Sequence, residues 1–351
     1  MRLSTDANRD VDRAMDTIAA AVGAGITVFD TAHAYGHDDT ELGHNERLLA
    51  AALRRSGAAE RARIVTKGGM RRPSGQWVPD GRAGAIRRDC EHSLAALDGL
   101  PIDLYLVHAP DPRVAWQTTV RSLTQLLDDG LVRAIGVCNV NRRLLDAALA
   151  LAPLAAVQVP ISIFDDSAVR GGVVERCTEL GIAVLAHSPL GGPRRAHRLP
   201  RDPTLHAIAE REGVPAAEVA LAGLLDLSPV VVPLPGARRP ETVRSAAHAA
   251  SLSLPADDRA RLRAAYGATR PARPSVRSTT ASNGEVVGPV EGASCPHPGG
   301  PPACWCRPPL PGLPLAFAHR HQLDPMQSVL IGVTSTHRRL ASALGARYVE
   351  A

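Results

Sequence analysis

The chain contains a single lysine, Lys67, in the stretch "RARIVTKGGMRR". The other 39 of its 40 Lys and Arg residues are arginine. An arginine guanidinium is permanently charged, whereas burial and neighbouring charges shift the pKa of a lysine ammonium. The two residues therefore do different chemistry, and a catalytic site that needs a tunable cation is a specific reason for a lysine here.

Three further titratable residues share the sequence context of Lys67, because each lies at or just past the end of a short apolar run. Asp30, Lys67 and His108 each end such a run, and Tyr35 follows Asp30 in "TAHAYG". If the runs are successive parallel strands, their carboxyl ends meet at one end of the sheet. The four side chains would then converge on one pocket.

The residue types suggest a proton-donating site for carbonyl chemistry. A tyrosine hydroxyl, with an ordinary pKa near ~10, becomes a better acid when an ammonium stabilises its phenolate. Lys67 can supply that charge to Tyr35, Asp30 can hold the ammonium, and His108 can donate a hydrogen bond to a carbonyl oxygen. Each residue alone has a structural explanation, such as an ion pair or a core histidine. The four together at strand ends favour catalysis, with hydride coming from another agent.

Short apolar runs alternate with amphipathic helical patterns from Val11 to about Gly267. This alternation predicts parallel strands buried on both faces, in either a doubly wound sheet or a closed (β/α)8 barrel. The predicted strands are residues 26–32, 62–67, 102–108, 132–137, 155–159, 182–188 and 229–236.

The motifs of the chain resemble those of the aldo-keto reductases, in family order from residue 1 to about 266. They are "GITVFDTAHAYG", "IVTKGG", "IDLYLVHAPDP", "DDGLVRAIGVCNV", "AAVQV", "LAHSPLGG" and "VPLPGARRPETV". The resemblance implies an α/β fold of the (β/α)8 TIM barrel type, NADPH as cofactor and a small-molecule carbonyl substrate. It also implies that Tyr35 is the general acid and that Asp30, Lys67 and His108 complete the catalytic set.

The same resemblance assigns cofactor-binding residues. It implies that Asn139 and Gln158 bind the nicotinamide carboxamide and that His187 replaces an aromatic ring stacked on the nicotinamide. Arg238 favours NADP over NAD, because a guanidinium pairs well with a 2′-phosphate. The remaining positions are Ser188, Leu190 and Gly192 for the diphosphate, and Gly236 and Ala237 beside Arg238 for the adenosine phosphate. Two departures from the family are Cys138 before Asn139, and Ser245–Ala246 where a Glu-Asn pair is common.

The first recognisable element is a helix, in "DVDRAMDTIAAAVGAG", whereas a βα barrel should open with a strand. We therefore expect the barrel to lack its N-terminal hairpin and first strand, leaving seven strands and two unpaired sheet edges. Because a "GLGTMRLS"-like stretch closes that strand in many family members, Met1 is interpreted as an internal methionine, through a misplaced start or a true truncation. The gap should weaken NADPH binding.

The sequence changes in character after the barrel, assigned to residues 1–268. Residues 269–294 are predicted to be a flexible linker, since Pro, Gly, Ser and Thr dominate them. Residues 295–351 resemble a fragment of haloacid-dehalogenase-type phosphatases that act on histidinol phosphate or heptose bisphosphate, without their nucleophilic Asp motif. The tail is expected to be mostly irregular, with a strand signature in "QSVLIGV" and a helix signature in "HRRLASALGARYVEA", neither having a partner.

Two ligand pairs in "CPHPGGPPACWC" have the residue types and loop spacing of a tetrahedral zinc site. A chance cluster of cysteines in a disordered tail is the alternative. The candidate ligands are Cys295, His297, Cys304 and Cys306.

Composition excludes several classes of function. The net charge of +5 is modest, and its arginines alternate with acidic residues and lack interleaved aromatics, which argues against a nucleic-acid surface. No apolar run approaches the ~20 residues of a membrane span, and the N-terminal residues do not form an apolar signal-peptide stretch. The chain is therefore expected to be cytoplasmic, and Cys90, Cys138 and Cys177, dispersed through apolar segments, to be buried thiols.

The leading hypothesis is an NADPH-dependent reductase of aldehydes or ketones, with Tyr35 as proton donor. The alternative is a catalytically weakened NADP-binding or regulatory protein on the same scaffold, and a third is a zinc-loop tail that acts as an interaction module. The sequence leaves the substrate and the oligomeric state open.

Overall fold

A computed structural model describes residues 3–5, 9–267, 329–332 and 347–350. The chain divides into two compact units, Met1–Ala272 and Arg273–Ala351.

The first unit is built on a parallel sheet of seven strands in the order β1-β2-β5-β6-β7-β8-β9. Each strand pairs in parallel with its neighbour in this order, which requires a crossover connection between every pair. β3 and β4 form a separate antiparallel hairpin. The strands are β1 (Val28–Asp30), β2 (Arg63–Gly68), β3 (Met70–Arg71), β4 (Val78–Pro79), β5 (Leu104–Val107), β6 (Ile135–Cys138), β7 (Leu154–Pro160), β8 (Ala183–His187) and β9 (Val231–Leu234).

Helices fill the crossovers. Their starts follow capping chemistry: the Asp10 side chain accepts from the Arg13 main-chain N–H at the first helix, and Asp202 accepts from Thr204 and Leu205 at the ninth. The helices are α1 (Val11–Gly23), α2 (His44–Arg55), α3 (Ala83–Ala96), α4 (Trp116–Asp128), α5 (Arg142–Leu149), α6 (Ser167–Arg170), α7 (Val173–Leu180), α8 (Gly192–Arg195), α9 (Pro203–Glu212), α10 (Ala216–Leu225), α11 (Pro240–His248) and α12 (Ala256–Ala265).

Both faces of the sheet are buried, as the continuous apolar runs predict. The larger core cluster joins the helices to one face of the sheet. A smaller cluster on the other face contains Val65, Leu106, Cys138, Ala156 and Leu185. Because side chains alternate along a strand, Lys67 points to the same face as Val65. The Lys67 side chain therefore points into the interior of the nearly closed barrel.

The sheet is open between β1 and β9, each of which pairs with one strand only within the described residues. The helices nevertheless continue across the opening, since α1 packs against both α2 and α11. Residues 3–5 form no strand; the Leu3 N–H and the Ser4 hydroxyl instead bond to the Asn45 side chain. The expected barrel of seven strands is confirmed.

Two details differ from the sequence-based expectation. The β3–β4 hairpin is not among the strands predicted from the sequence. In the second unit, β10 (Val329–Gly332) and β11 (Arg347–Glu350) pair in parallel, so the predicted strand does have a partner, and residues 347–350 were wrongly assigned to a helix. The apolar alternation "ARYVEA" is short enough to fit either element, and pairing with β10 decides it.

Among the helices in the described ranges, none is both long enough and apolar enough to cross a membrane.

Candidate active site

The parallel register brings the predicted strand-end residues to the same end of the sheet. Asp30 is the last residue of β1, and Lys67 is the penultimate residue of β2. His108 follows β5 directly, and its main-chain N–H still donates to the Gly68 carbonyl, at 2.9 Å. Tyr35 lies on the loop after β1. The strand ends and βα loops at this end of the sheet therefore carry all four residues.

A buried ion pair between Lys67 and Asp30 lies at the bottom of the site. The lysine is completely buried, and its Nζ lies 2.7 Å and 2.8 Å from the two Asp30 carboxylate oxygens. Nζ also donates to the Thr31 carbonyl at 2.6 Å, a contact that sequence reasoning did not find because any residue type supplies a carbonyl. The ammonium is thus held by three oxygen contacts, and its orientation is fixed.

Each member of this ion pair stabilises the charged form of the other. Burial opposes the charged form of Lys67, but the charge of Asp30, with a smaller contribution from Tyr35, raises the pKa of the lysine above its ordinary value. Burial would likewise raise the pKa of Asp30, yet the Lys67 charge and hydrogen bonds lower it overall. The attraction between two opposite charges is mutual. Because a Tyr35 phenolate stabilises the Lys67 ammonium, the ammonium stabilises the phenolate to the same extent. Lys67 is therefore held in its charged form beside the tyrosine, so the tunable cation that the sequence suggested is instead a fixed one.

Tyr35 lies in an aromatic and cationic environment. The Lys67 Nζ is 5.1 Å from the centroid of its ring, and the ring is 8% exposed. The His108 ring meets it edge-on, with centroids 5.7 Å apart, and Trp77 meets it edge-on at 6.2 Å. The guanidinium of Arg72 stacks on Trp77 at 3.8 Å. Tyr35, Trp77 and His108 together form one wall of the site.

Trp77 is 40% exposed, although its ring lies only 5.7 Å from that of His108. It stands between β3 and β4, so the hairpin that the sequence did not predict is what carries it to the site. An exposed aromatic surface beside Tyr35 and His108 can contact an apolar part of a substrate.

Gln158 and Asn139 already have partners within the protein. The Gln158 Nε2 donates to Asp30 Oδ1 at 2.7 Å, and the Asn139 Nδ2 donates to the His108 carbonyl at 2.9 Å. The Asn139 Oδ1 lies 3.0 Å from the His187 Nε2. Because an amide oxygen only accepts, His187 donates in this arrangement. These side chains form a polar surface next to Asp30 and His108.

A cavity of about 530 Å³ opens beyond the carboxyl ends of β7 and β8. Ser188 and Gly191 line it, as do three guanidinium-bearing side chains, Arg194, Arg195 and Arg198. Arg195 also donates to the Phe164 carbonyl at 2.9 Å, which anchors α8 to the loop after β7. The arginines were not predicted as site residues, although "GGPRRAHRLPR" shows their concentration directly after the predicted diphosphate loop.

The remaining predicted cofactor residues lie on two neighbouring loops. Leu190 is half-buried against the core, and Gly192 begins α8. Gly236, Ala237 and Arg238 lie between β9 and α11, with Ala237 buried and Arg238 exposed. Ser245, on α11, donates to the buried Glu218 carboxylate at 2.6 Å, so it has a structural partner.

The predicted zinc ligands Cys295, His297, Cys304 and Cys306 lie outside the described residues. In the part of the chain that the structure does describe, no group of three or more His, Cys, Asp or Glu side chains could hold a metal ion. Cys90, Cys138 and Cys177 are free and buried there, as expected. Burial raises the pKa of the Cys90 and Cys177 thiols to about 12.

Comparison with known proteins supports both the fold and the motifs. The Aldo/keto reductase family model matches residues 1–266. Aldo-keto reductase YhdN of Bacillus subtilis (strain 168) is 35% identical over 156 residues, which cover 44% of this chain and 46% of that protein. The chain therefore matches less than half the length of this curated relative.

Solved structures are similar over a longer stretch. The thermostable aldo-keto reductase Tm1743, solved with the inhibitor epalrestat, has a TM-score of 0.64 and 29% identity, over 75% of this chain and 90% of that one. The glycerol dehydrogenase AKR11B4 from Gluconobacter oxydans has a TM-score of 0.64 and 25% identity, over 77% and 90%. An aldo/keto reductase from Klebsiella pneumoniae, in complex with NADP and acetate, shares the fold, with a TM-score of 0.62 and 24% identity over 73% and 86%. With its barrel, its strand-end residues and a family match over residues 1–266, the chain belongs to the aldo/keto reductase family.

Proposed function

We propose that this protein is an NADPH-dependent oxidoreductase that reduces an aldehyde or ketone to an alcohol. The observation that carries the proposal is the completely buried Lys67 ammonium, held on Asp30 at 2.7 Å and lying 5.1 Å from the Tyr35 ring. Burying an ion pair costs desolvation energy, so a pair that contributes only to stability is weakly favoured. Its position next to a tyrosine supports a catalytic role for the pair.

Tyr35, Lys67 and His108 have separate roles in the transfer of a proton to the carbonyl oxygen. When bound, NADPH supplies the hydride that adds to the carbonyl carbon. The Tyr35 hydroxyl donates its proton to the carbonyl oxygen, and Lys67 stabilises the phenolate that remains until solvent reprotonates it. His108 is placed beside Tyr35 to donate a hydrogen bond to the same oxygen as negative charge develops there. The carbonyl group gains one hydride and one proton, which yields the alcohol.

The described residues fit a dinucleotide with phosphate groups. The arginine-lined cavity beside Ser188 and Gly191 offers cationic donors where the diphosphate would lie. The exposed Arg238 lies on the next loop, where its guanidinium would pair with a 2′-phosphate, which favours NADPH over NADH. Asn139, Gln158 and His187 would orient the nicotinamide. The solved K. pneumoniae reductase of the same fold is in complex with NADP, which is consistent with this assignment.

A cofactor-binding protein without turnover is the second candidate function. The observation that favours it is the opening between β1 and β9, since Asp30 lies at the end of β1. The two candidates differ in one measurable property, because both bind NADPH but only the reductase oxidises it when a carbonyl compound is added.

The test is the Tyr35→Phe variant of the full chain. We expect wild-type protein to bind NADPH in a fluorescence titration and to reduce a generic aldehyde. Tyr35→Phe should bind NADPH with an unchanged Kd and lose at least about 100-fold in kcat, the usual contribution of a general acid. The matched control is Tyr266→Phe, which removes a buried hydroxyl bonded to the Ala220 carbonyl at 2.7 Å, between α10 and α12. Its kcat should not change. Equal turnover by wild type and Tyr35→Phe would refute the proposed mechanism.

A further inference from the structure

A buried polar cluster lies behind Lys67, on the opposite face of β2. It consists of His33 on the loop after β1, Glu46 on α2 and Asp89 on α3, which are 2%, 0% and 3% exposed. The mechanism proposed above uses none of them. Three titratable side chains this deeply buried are costly unless they are paired, so their presence needs an explanation.

The cluster is bonded to the chain on both sides of Lys67, at Thr66 within β2 and at Gly69 directly after it. The Thr66 hydroxyl donates to the Glu46 carboxylate, and the Gly69 main-chain N–H donates to Asp89 Oδ2 at 2.9 Å. The main-chain N–H of His33 donates to the carbonyl of Lys67 itself, at 3.0 Å. Every one of these bonds fixes the stretch of backbone from which the catalytic lysine projects.

Gly68 permits this arrangement. A Cβ at this position would overlap the Tyr105 hydroxyl and lie 2.9 Å from the Asp89 Cβ. Only a residue without a side chain lets the α3 carboxylate approach the strand closely enough to reach the Gly69 N–H. The glycines of the "KGG" sequence at the end of β2 therefore leave the space that Asp89 of α3 needs to reach the backbone.

His33 lies between the two carboxylates. Its Nδ1 is 3.9 Å from a Glu46 oxygen and its Nε2 is 3.9 Å from an Asp89 oxygen. Neither nitrogen has a hydrogen-bond partner in the ranges that the structure describes. Arg88, half-exposed, reaches the same Asp89 oxygen at 3.2 Å, and the His92 ring lies 5.7 Å from that of His33. Each ring nitrogen of His33 therefore faces a carboxylate.

We propose that His33 is a positioning residue for Lys67, joining Glu46 and Asp89 into one buried bridge that fixes the backbone of β2. The bridge sets where the Lys67 Nζ lies relative to Asp30 and Tyr35. The catalytic part of this proposal rests on the carbonyl reduction proposed above, whereas the positioning part does not. It is tested on the lysine directly.

The single lysine makes that test possible. Protein produced with isotope-labelled lysine gives NMR signals from Lys67 alone, so its side-chain methylene next to Nζ can be followed without assignment. We expect His33→Phe, which keeps a ring but removes both nitrogens, to shift this signal and to broaden or split it. Asp89→Asn, which keeps an acceptor for Gly69 but removes the charge, should shift it in the same sense. Tyr266→Phe, the control for loss of a buried polar group elsewhere, should leave it unchanged.

Activity gives the second readout. His33→Phe should lower kcat about tenfold, equivalent to about 1.4 kcal/mol, with the NADPH Kd within twofold of wild type. If His33→Phe does not fold, Asp89→Asn carries the same test with a several-fold loss of kcat. Adding Glu46→Gln to His33→Phe should recover part of the loss, because it removes a buried negative charge that would otherwise face the apolar phenylalanine ring.

The outcomes separate the two proposals. An unchanged Lys67 signal in both His33→Phe and Asp89→Asn overturns the positioning role, whether or not the protein reduces aldehydes. A shifted signal in a protein whose Tyr35→Phe variant turns over normally supports positioning and refutes the catalytic mechanism.

Discussion

Replacing Lys67 by methionine tests the energetic role of the buried ion pair. Methionine is unbranched and flexible, so it fills the space of the lysine stem without the ammonium. Asp30 then loses the contacts of 2.7 Å and 2.8 Å to Nζ. Its side chain is only 10% exposed, so water replaces these contacts poorly. Removing one partner of a buried pair leaves the other charge uncompensated, at a cost of about 3 to 5 kcal/mol. Since Asp30 has some access to solvent, we expect about 3 kcal/mol.

The loss should depend on pH, with a definite sign. In the wild type the pKa of Asp30 is lowered overall, so its contribution to stability is present above the unfolded pKa near ~4 and is lost as pH falls through the folded value. In Lys67→Met, burial acts without the ammonium and should raise the pKa of Asp30. The penalty is then largest at neutral pH and decreases as pH falls through this raised pKa. The difference in stability between wild type and variant should therefore be smaller at pH 5 than at pH 7.

The assay is urea unfolding followed by circular dichroism, with two comparison variants. Arg54→Met breaks an ion pair whose side chains are 40% and 80% exposed, and should cost less than about 1 kcal/mol. Adding Asp30→Asn to Lys67→Met removes the uncompensated carboxylate and should recover part of the stability. The reasoning is refuted if Lys67→Met costs no more than Arg54→Met, or if its cost is the same at pH 5 and pH 7.

Four further predictions follow from the same contacts. Gly68→Ala should destabilise the protein by about 1 to 3 kcal/mol in urea unfolding, because its Cβ would overlap the Tyr105 hydroxyl; an unchanged midpoint would contradict the packing described. Arg194→Ala should weaken NADPH binding and reduce its salt dependence, while Arg201→Ala, outside the cavity lining, should do neither; equal effects would place the diphosphate elsewhere. The three buried cysteines should resist alkylation at pH 8 until urea is added, as mapped by mass spectrometry. Metal analysis of the purified chain should find about one zinc, held by the tail ligands, and a metal-free tail would contradict the predicted loop.

The sequence was sufficient to predict the seven strands of the parallel sheet and the residues at their ends. Apolar runs of parallel strands are local patterns, and the carboxyl ends of such strands meet whatever the details of packing. Asp30, Lys67 and His108 could therefore be placed together from sequence alone, and Tyr35 with them. The pairing of Lys67 with Asp30 was also accessible, since a buried ammonium needs a counterion.

Other parts of the site depend on tertiary packing that no local pattern encodes. His33, Glu46 and Asp89 come from three elements, and only the packing of α2 and α3 on β2 brings them together. The position of Trp77 depends on the β3–β4 hairpin, whose two-residue strands are too short for a periodic signal. The hydrogen bond from Gln158 to Asp30 joins residues 128 positions apart, so sequence spacing could not reveal it.

Isotope transfer is the most direct test of the central claim, that this protein reduces carbonyl groups by hydride transfer with Tyr35 as proton donor. The protein is incubated with an aldehyde and with NADPH that carries deuterium at both hydrogen positions of the hydride-donating nicotinamide carbon, and the alcohol is analysed by mass spectrometry. We predict one deuterium on the former carbonyl carbon with wild-type protein, and at least about 100-fold less labelled alcohol with Tyr35→Phe. Alcohol without deuterium, or equal labelling by the two proteins, would contradict the account.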